Sequence, residues 1–355
     1  MRCLIRLLTC MFAGYLSSCS NFGSTQLGPD RISYNNAMQY SDLQQTLLNI
    51  VRLRYTDSPY FLELNNVVSQ FSLSKTLSLN VLNGTTPGLI GTADSSLSLS
   101  ESPTLTYTPL QGPDAVKRLM TPFDLGMVYY LMRSGWTVDK VIRLTLVRLG
   151  PYENAELASR QAASRVPVYK EFQELGLALR AIEHAGNLKV KSLQMNGGTV
   201  IKLIVKFTPS FSAGQRKVLA RIGITPKTPF VFLENEPTKL EHHYYAQTRT
   251  SMELLNYLSK GVDVPVEHFK SGRVRRTIDK NNNEFDWHKI TKGQMRVRYS
   301  PHRPVDAFVS VHYRDRWFYI ADNAIYTKET LMMLGFLMSA VQGEVKSVLP
   351  VFTVS

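Results

Sequence analysis

Apolar positions follow helical spacing in some stretches of the chain and strand spacing in others. Between Asp30 and Tyr55 they recur every three or four residues, which predicts an amphipathic helix because such positions share one face. From Phe71 to Tyr107 the period becomes two, with leucine and serine alternating on both sides of a glycine-rich turn at residues 84–91. This alternation predicts two strands that pair antiparallel.

Helical spacing returns after Pro113 and continues to Leu149, which predicts a small helical subdomain. The turn residues at 150–154 mark a predicted boundary between a first domain, residues 30–150, and a second, residues 151–355. A polar helix from Ala155 to Arg165 is expected to open the second domain.

The second half mixes strand and helix patterns irregularly. Two alternating runs flank Asn196-Gly197-Gly198, a turn that supplies positive φ angles and so predicts a β-hairpin. The mixture predicts an α+β fold with an antiparallel sheet in this half. The predicted elements are helices at Val168–Ala185, Ser251–Lys260 and Thr327–Val341, and strands at Leu188–Met195, Thr199–Phe207, Phe230–Leu233, His242–Thr248, Arg296–Tyr299, Ala307–Tyr313 and Trp317–Ile320.

The first eighteen residues have the parts of a secretory signal peptide. Arg2 and Arg6 precede a mostly apolar run from Leu7 to Leu16, and the small residues Ser17 and Ser18 follow. A transmembrane helix needs about 20 apolar residues, so this run is too short to span a bilayer. Residues 1–18 are therefore predicted to be removed.

The sequence Leu16-Ser17-Ser18-Cys19 resembles the bacterial lipobox, which implies that Cys19 is acylated and becomes the first residue of the mature chain. An ordinary signal peptide with an incidental cysteine is the alternative. Position 20 is Ser rather than Asp, which in lipoproteins of this class implies export to the outer membrane. Residues 19–29, which contain glycine, serine and proline without apolar period, are predicted to form a lipidated tether.

The formal net charge of +13 is concentrated in one segment. Residues 268–304, called the basic segment below, hold ten Lys and Arg against three Asp and Glu. This segment is predicted to be a loop that binds an acidic protein, peptidoglycan or anionic lipid, and a solvated mobile loop is the alternative. No nucleic acid is expected to meet an exported chain. The candidate partner-binding residues are Lys270, Arg273, Arg275, Arg276, Arg296 and Arg298.

Enzymatic motifs are absent from the sequence. It contains no nucleophile elbow, zincin motif, phosphate-binding loop or dinucleotide fingerprint. The cluster Glu241-His242-His243 is assigned to structure, because residues adjacent in a strand point to opposite faces. The acidic turn at 279–284 has oxygen ligands at alternate positions, like the opening of a calcium loop, but Glu284 and Ile290 stand where that loop has its glycine and its closing glutamate, so a polar surface turn is expected. We therefore expect no catalytic residue, no metal and no cofactor.

The alternating leucine and serine residues between Phe71 and Tyr107 also resemble a transmembrane hairpin that one protomer contributes to an oligomer. An amphipathic sheet packed on the first helix is the favoured alternative, because serine also suits a solvated face. Only Lys75, Asp94 and Glu101 carry charge in these runs.

Three stretches carry a family resemblance: residues 47–62, residues 249–265 and residues 313–330. Together they resemble a widespread family of bacterial outer-membrane lipoproteins, whose pattern assigns no catalytic residue. The resemblance further implies a place in the outer-membrane disk of a Dot/Icm type IVB secretion machine. The function expected is that of a structural component of a multiprotein envelope assembly, lipid-anchored with its body in the periplasm. The alternative is a module that binds peptidoglycan or another anionic envelope polymer.

Overall fold

The computed structural model describes residues 22–81, 91–160, 165–195 and 198–341. The signal peptide, Cys19, most of the turn at 84–91 and the dipeptide Asn196-Gly197 lie outside these ranges, so what the sequence predicts for them stays a prediction.

Helices and strands alternate irregularly along the described residues, and the predicted α+β class is confirmed. The helices are α1 (Phe22–Arg54), α2 (Pro113–Met120), α3 (Leu125–Arg133), α4 (Val138–Thr145), α5 (Lys170–His184), α6 (Ala213–Ala220), α7 (Ser251–Ser259), α8 (Val266–Lys270), α9 (His288–Thr291) and α10 (Ile325–Val341), with a 3₁₀ turn at Glu156–Ser159. The strands are β1 (Leu62–Val81), β2 (Gly91–Pro109), β3 (Leu146–Leu149), β4 (Tyr152–Glu153), β5 (Leu188–Met195), β6 (Gly198–Val205), β7 (Phe230–Glu234), β8 (His243–Thr248), β9 (Arg298–Ser300), β10 (Ala307–Tyr313) and β11 (Arg316–Ala321).

The chain divides into two compact units, and the division is not the one predicted at residue 150. One unit is the segment Tyr60–Val116, and the other combines the chain up to Pro59 with the chain from Lys117 onward. Strand β3, just before Gly150, pairs with both β4 and β8, so residues on both sides of Gly150 belong to one sheet. The prediction failed because a short apolar run does not by itself distinguish a strand from the end of a buried helix.

The smaller unit contains the predicted hairpin, which is longer than expected. Strands β1 and β2 pair antiparallel from Leu62 opposite Pro109 to Val81 opposite Gly91, with a register shift between Leu64 and Asn66. The predicted antiparallel pairing is confirmed.

A six-stranded sheet, in the order β4-β3-β8-β7-β6-β5, forms the centre of the larger unit. Four of its five pairs are antiparallel, in agreement with the predicted antiparallel sheet, and the pair of β7 with β8 is parallel. Residues 235–242 link β7 to β8 and return the chain so that β8 runs in the same direction as β7. A tight turn would instead have left the two strands antiparallel.

A second sheet of the larger unit, in the order β10-β11-β9, lies beside helix α1. The amide Nε2 of Gln44 on α1 donates a 3.0 Å hydrogen bond to the backbone oxygen of Ser310 on the edge strand β10. Helix α1 also packs against α7. Its buried positions Leu47, Ile50 and Val51 confirm the carboxyl-terminal part of the predicted apolar face, whereas Ala37, earlier on that face, is exposed.

Local expectations differ from the structure at two further places. Helix α1 begins at Phe22 instead of near Asp30, because the Gly and Pro residues of the predicted tether lower helix propensity without excluding a helix. Within the described part of the polar helix expected at residues 155–165, the chain forms a 3₁₀ turn at Glu156–Ser159 and Arg160 is extended, while residues 161–164 lie outside the described ranges. Ala155 adopts a left-handed conformation with φ of 48°, which is incompatible with a regular helix start.

Candidate functional site: the basic segment and the cations beneath it

The basic segment is not the mobile loop that the sequence left open. It contains α8's last residues, α9 and β9, and isolated bridges join Val262 to Val297 and Ile278 to Glu284. Six of its apolar side chains are buried and attach it to the body, so the backbone that carries the charges is held in place. The buried residues are Val274, Phe285, Trp287, Ile290, Met295 and Val297.

All ten basic side chains of the segment are exposed. Three of the six candidates form ion pairs: Arg273 with Asp315 at 3.9 Å, Arg276 with Glu284 at 3.3 Å and Arg296 with Asp263 at 3.4 Å. Pairs this exposed contribute about 0–1 kcal/mol each and leave most of the positive potential in place.

The other three candidates, Lys270, Arg275 and Arg298, have no acidic partner among the described residues. Lys270 ends helix α8, and Arg298 lies on β9 at the wall of an open groove of about 730 Å³ that Asp306 and Tyr319 also line. These cations are the ones most available to an external anion.

Two further cations, which are not among the six candidates, lie buried against aromatic side chains of the basic segment, Phe269 and Trp287. Arg54 ends helix α1 and is 8% exposed, and Lys260 follows helix α7 and is 6% exposed. Burial, together with the positive charges of Arg54 and Arg275, lowers the pKa of Lys260 to about 7. Burial likewise lowers the pKa of Arg54 to about 10.

A hydrogen-bonded network lies next to this cluster and joins three distant parts of the chain. The Tyr55 hydroxyl and Nδ1 of His268 share a bond of 2.6 Å. Tyr313 and Arg314 both donate to the carboxylate of Asp57, which follows α1. Burial raises the pKa of Tyr55, because the ionised phenolate would lose its hydration.

Histidine and carboxylate side chains meet at three places, but none is joined by a third metal-binding group among the described residues. His288 lies 2.5 Å from Asp263, His268 lies 3.2 Å from Asp315, and His243 contacts Glu234. His243 also stacks on Phe232 with ring centroids 4.5 Å apart, so this member of the sequence cluster at 241–243 packs within the sheet.

The acidic turn at 279–284 has a structural explanation. Oδ1 of Asp279 accepts hydrogen bonds from the backbone nitrogens of Asn281 and Asn283, at 2.9 and 2.8 Å. A carboxylate engaged in this way closes an Asx turn.

Comparisons with known proteins found no matching protein-family model, no similar curated protein and no similar solved structure. Within the part of the chain that the structure covers, no helix is both long and apolar enough to cross a membrane. The family resemblance and the absence of catalysis remain predictions from the sequence.

Proposed function

We propose that this chain is an outer-membrane lipoprotein that acts as a structural component of a multiprotein envelope assembly. Its basic segment docks on an acidic surface of a protein partner. The lipid anchor is Cys19, and the body lies in the periplasm.

The observation that supports this proposal is the way the positive charges are presented. Ten exposed Lys and Arg side chains project from a segment that buries six apolar residues in the body. A charged surface on a fixed backbone loses less conformational entropy on binding than a free loop of the same charge. Complementary charge also accelerates association and suppresses wrong partners.

Charge reversal in the basic segment tests the docking step. The variant Lys270→Glu, Arg273→Glu, Arg298→Glu, in the full chain and its own host, should lose its co-purifying partners after extraction in mild detergent. Its melting temperature should stay near the wild-type value, because exposed charges contribute little to stability.

A matched control carries the same change of charge elsewhere. Lys189, Lys191 and Lys217 are exposed and lie outside the basic segment, so their replacement by glutamate should leave the complex intact. Equal loss of partners in both triple variants would show that net charge alone governs association. Sedimentation of the wild type with purified peptidoglycan sacculi, without a stoichiometric protein complex, would favour the polymer-binding alternative instead.

A further inference from the structure

The three-stranded sheet β10-β11-β9 has one buried face and one face that is partly open to solvent. Phe318 and Ile320 on β11 are fully buried. Trp317 and Tyr319, which alternate with them, are only partly buried. Alternate residues of a strand point to opposite faces, so these two aromatic rings stand on the open face. The strand register places Arg298 of β9 directly opposite Tyr319, on the same face.

Two adjoining grooves lie on this side of the sheet. The first, beside Arg298, has a volume of about 730 Å³, and the second has a volume of about 340 Å³. Both volumes lie in the range of about 300–1,000 Å³ that is typical of small-molecule sites. Pro304, Val305 and Ala307 line both grooves. Because these residues form a shared wall, a single extended ligand can reach from one groove into the other.

Each groove contains one tyrosine and one arginine. Tyr319 and Arg298 line the first groove, and Tyr40 and Arg303 line the second. The Arg303 guanidinium lies 5.5 Å from the ring centre of Trp317, and this cation–π contact holds it at the wall of its groove. Neither tyrosine hydroxyl has a hydrogen-bond partner among the described residues. Both hydroxyls are therefore available to a ligand.

The first groove also contains hydrogen-bonding groups of both kinds. Asp306, Asp322 and Asn323 line it together with Arg298. Asp322 is paired with Lys328 at 2.8 Å. The side chains of Arg298, Asp306 and Asn323 form no hydrogen bond with any residue that the structure describes. The groove thus offers a carboxylate that accepts, a guanidinium that donates and an amide that does both.

We infer that the two grooves form a binding site for a chain of neutral sugars. A hydroxyl group both donates and accepts hydrogen bonds, so neighbouring sugar hydroxyls satisfy the Asp306 carboxylate and the Arg298 guanidinium together. The C–H groups on one face of a sugar ring pack against the electron-rich face of an aromatic ring, which Tyr319 and Tyr40 provide. A chain fits better than a single sugar, because the two tyrosines lie in separate grooves.

Two other classes of ligand fit these grooves less well. A polyanion would meet the carboxylates of Asp306 and Asp322, and like charges repel. A peptide that adds a strand to the sheet would need the free edge of β10. At that edge the backbone oxygen of Ser310 already accepts a 3.0 Å hydrogen bond from Gln44 of α1.

Sugar binding is tested by calorimetric titration of the purified full chain in mild detergent. The probes are two neutral tetrasaccharides, cellotetraose and chitotetraose, which distinguish a chain of plain hexoses from a chain of N-acetylated ones. At least one should bind the wild type in a 1:1 complex. Tyr319→Ala and Asp306→Ala should each weaken that binding by about tenfold, since one removes the stacking ring and the other the carboxylate acceptor.

Tyr130→Ala is the matched control, because Tyr130 is an exposed tyrosine outside both grooves, and it should bind as the wild type does. Asp306 is exposed and forms no side-chain hydrogen bond with a described residue. The Asp306→Ala result therefore remains informative if Tyr319→Ala fails to fold. This inference does not depend on the proposed function, since these variants leave the basic segment unchanged and partner docking is measured separately by co-purification.

The length of the sugar chain tests whether one ligand spans both grooves. The tetrasaccharide should bind about tenfold more tightly than its disaccharide, which fills only the first groove. Tyr40→Ala should remove this advantage and leave disaccharide binding unchanged. Equal affinities of the disaccharide and the tetrasaccharide for the wild type would overturn the inference of a chain.

Three further results would overturn the site itself. The first is that neither neutral tetrasaccharide binds. The second is that affinity is unchanged in both Tyr319→Ala and Asp306→Ala. The third is that tetra-alanine or a sulfated tetrasaccharide binds more tightly than either neutral sugar, which would assign the grooves to a peptide or to a polyanion.

Discussion

Nη2 of Arg314 donates a 2.9 Å hydrogen bond to Oδ2 of Asp57, and this bond joins positions that lie 257 residues apart. Tyr313 donates to the same carboxylate oxygen. The bonds attach the turn between β10 and β11 to the end of α1. Arg314 and Asp315 form that turn with φ angles of 53° and 70°, a conformation that suits a two-residue hairpin but is rarely adopted by arginine.

Asp57→Asn should lower the free energy of unfolding by up to about 1 kcal/mol at neutral pH, because the bond is partly exposed. Burial raises the pKa of Asp57, but the hydrogen bonds from Tyr313 and Arg314 outweigh it and leave the pKa below its usual value. The stabilisation is therefore present above the unfolded-state pKa of about 3.9 and is lost as the pH falls through the lower folded-state pKa. Urea unfolding at several pH values measures this, and Asp322→Asn, in the exposed pair with Lys328, should show almost no effect.

Gly150→Ala should lower the free energy of unfolding by about 2–4 kcal/mol. Gly150 has φ of 54°, and an added Cβ would lie 2.8 Å from Cδ1 of Tyr244. Gly135→Ala is the control, since Gly135 has φ of 90° but no neighbour within 4 Å. Comparing the two by denaturant unfolding separates the packing cost from the backbone cost. Equal losses would indicate that Gly150 lies in an open loop, as a domain boundary requires.

Arg249→Met should destabilise the protein by about 3–5 kcal/mol, because the backbone oxygens of Leu146 and Asn154, to which the buried guanidinium donates at 2.7 Å, would lose their donors. Arg54→Met should leave the stability unchanged or raise it, because Arg54 satisfies no acceptor in the described residues. Both free energies come from chemical unfolding. A loss for Arg54→Met as large as that for Arg249→Met would assign Arg54 to the fold.

Lys260→Met should be more stable than the wild type by about 1–4 kcal/mol at pH 6, since an apolar side chain replaces an uncompensated buried charge. The folded-state pKa of Lys260 is about 7, below the unfolded value of about 10.4. Between these values the unfolded chain binds more protons, so the stability of the wild type rises with pH. The advantage of Lys260→Met should therefore be constant below pH 7 and shrink by up to about 1.4 kcal/mol per pH unit above it.

A pH series of urea unfolding curves for both proteins measures this difference. Lys270→Met is the matched control, because Lys270 is exposed. A stability difference between Lys260→Met and the wild type that does not change from pH 6 to pH 9 would contradict the buried charge.

Cys19→Ser should abolish acylation and release the protein from the outer-membrane fraction. Acyl chains supply the membrane affinity, at about 0.8 kcal/mol for each buried methylene. Membrane fractionation and the mass of the mature chain measure the change, and Cys3→Ser, within the predicted signal peptide, is the control. Wild-type recovery of Cys19→Ser in the membrane fraction would place the anchor elsewhere.

Sequence periodicity was sufficient for elements whose apolar positions follow a single repeat along the chain. The apolar face of α1, the antiparallel pairing of β1 with β2 and the hairpin partners β5 and β6 were all predicted. The strand β3 was missed because its four residues continue an apolar run that α4 begins. Helix α6 was missed as well, although Ser212 and Gln215 form a capping box that was a readable signal.

The two buried cations Arg54 and Lys260 also left a signal in the sequence, which the charge pattern alone did not reveal. Arg54 lies seven, four and three residues after Leu47, Ile50 and Val51, so helical spacing alone places it on the apolar face of α1. Lys260 lies three residues after the buried Tyr257. Lys and Arg are rarely buried, so a charged residue at an apolar position of the helical pattern predicts a buried cation.

The sequence by itself determined the α+β class, the hairpin pairings and the concentration of positive charge in residues 268–304, because local periodicity and composition specify them. Only the tertiary structure decided that the basic segment is held by buried apolar residues, that Asp57 meets Arg314, and that Arg54 and Lys260 lack counter-charges among the described residues. The reason is physical. Burial and charge compensation depend on contacts between residues that are far apart in the sequence, and local patterns along the chain do not specify those contacts.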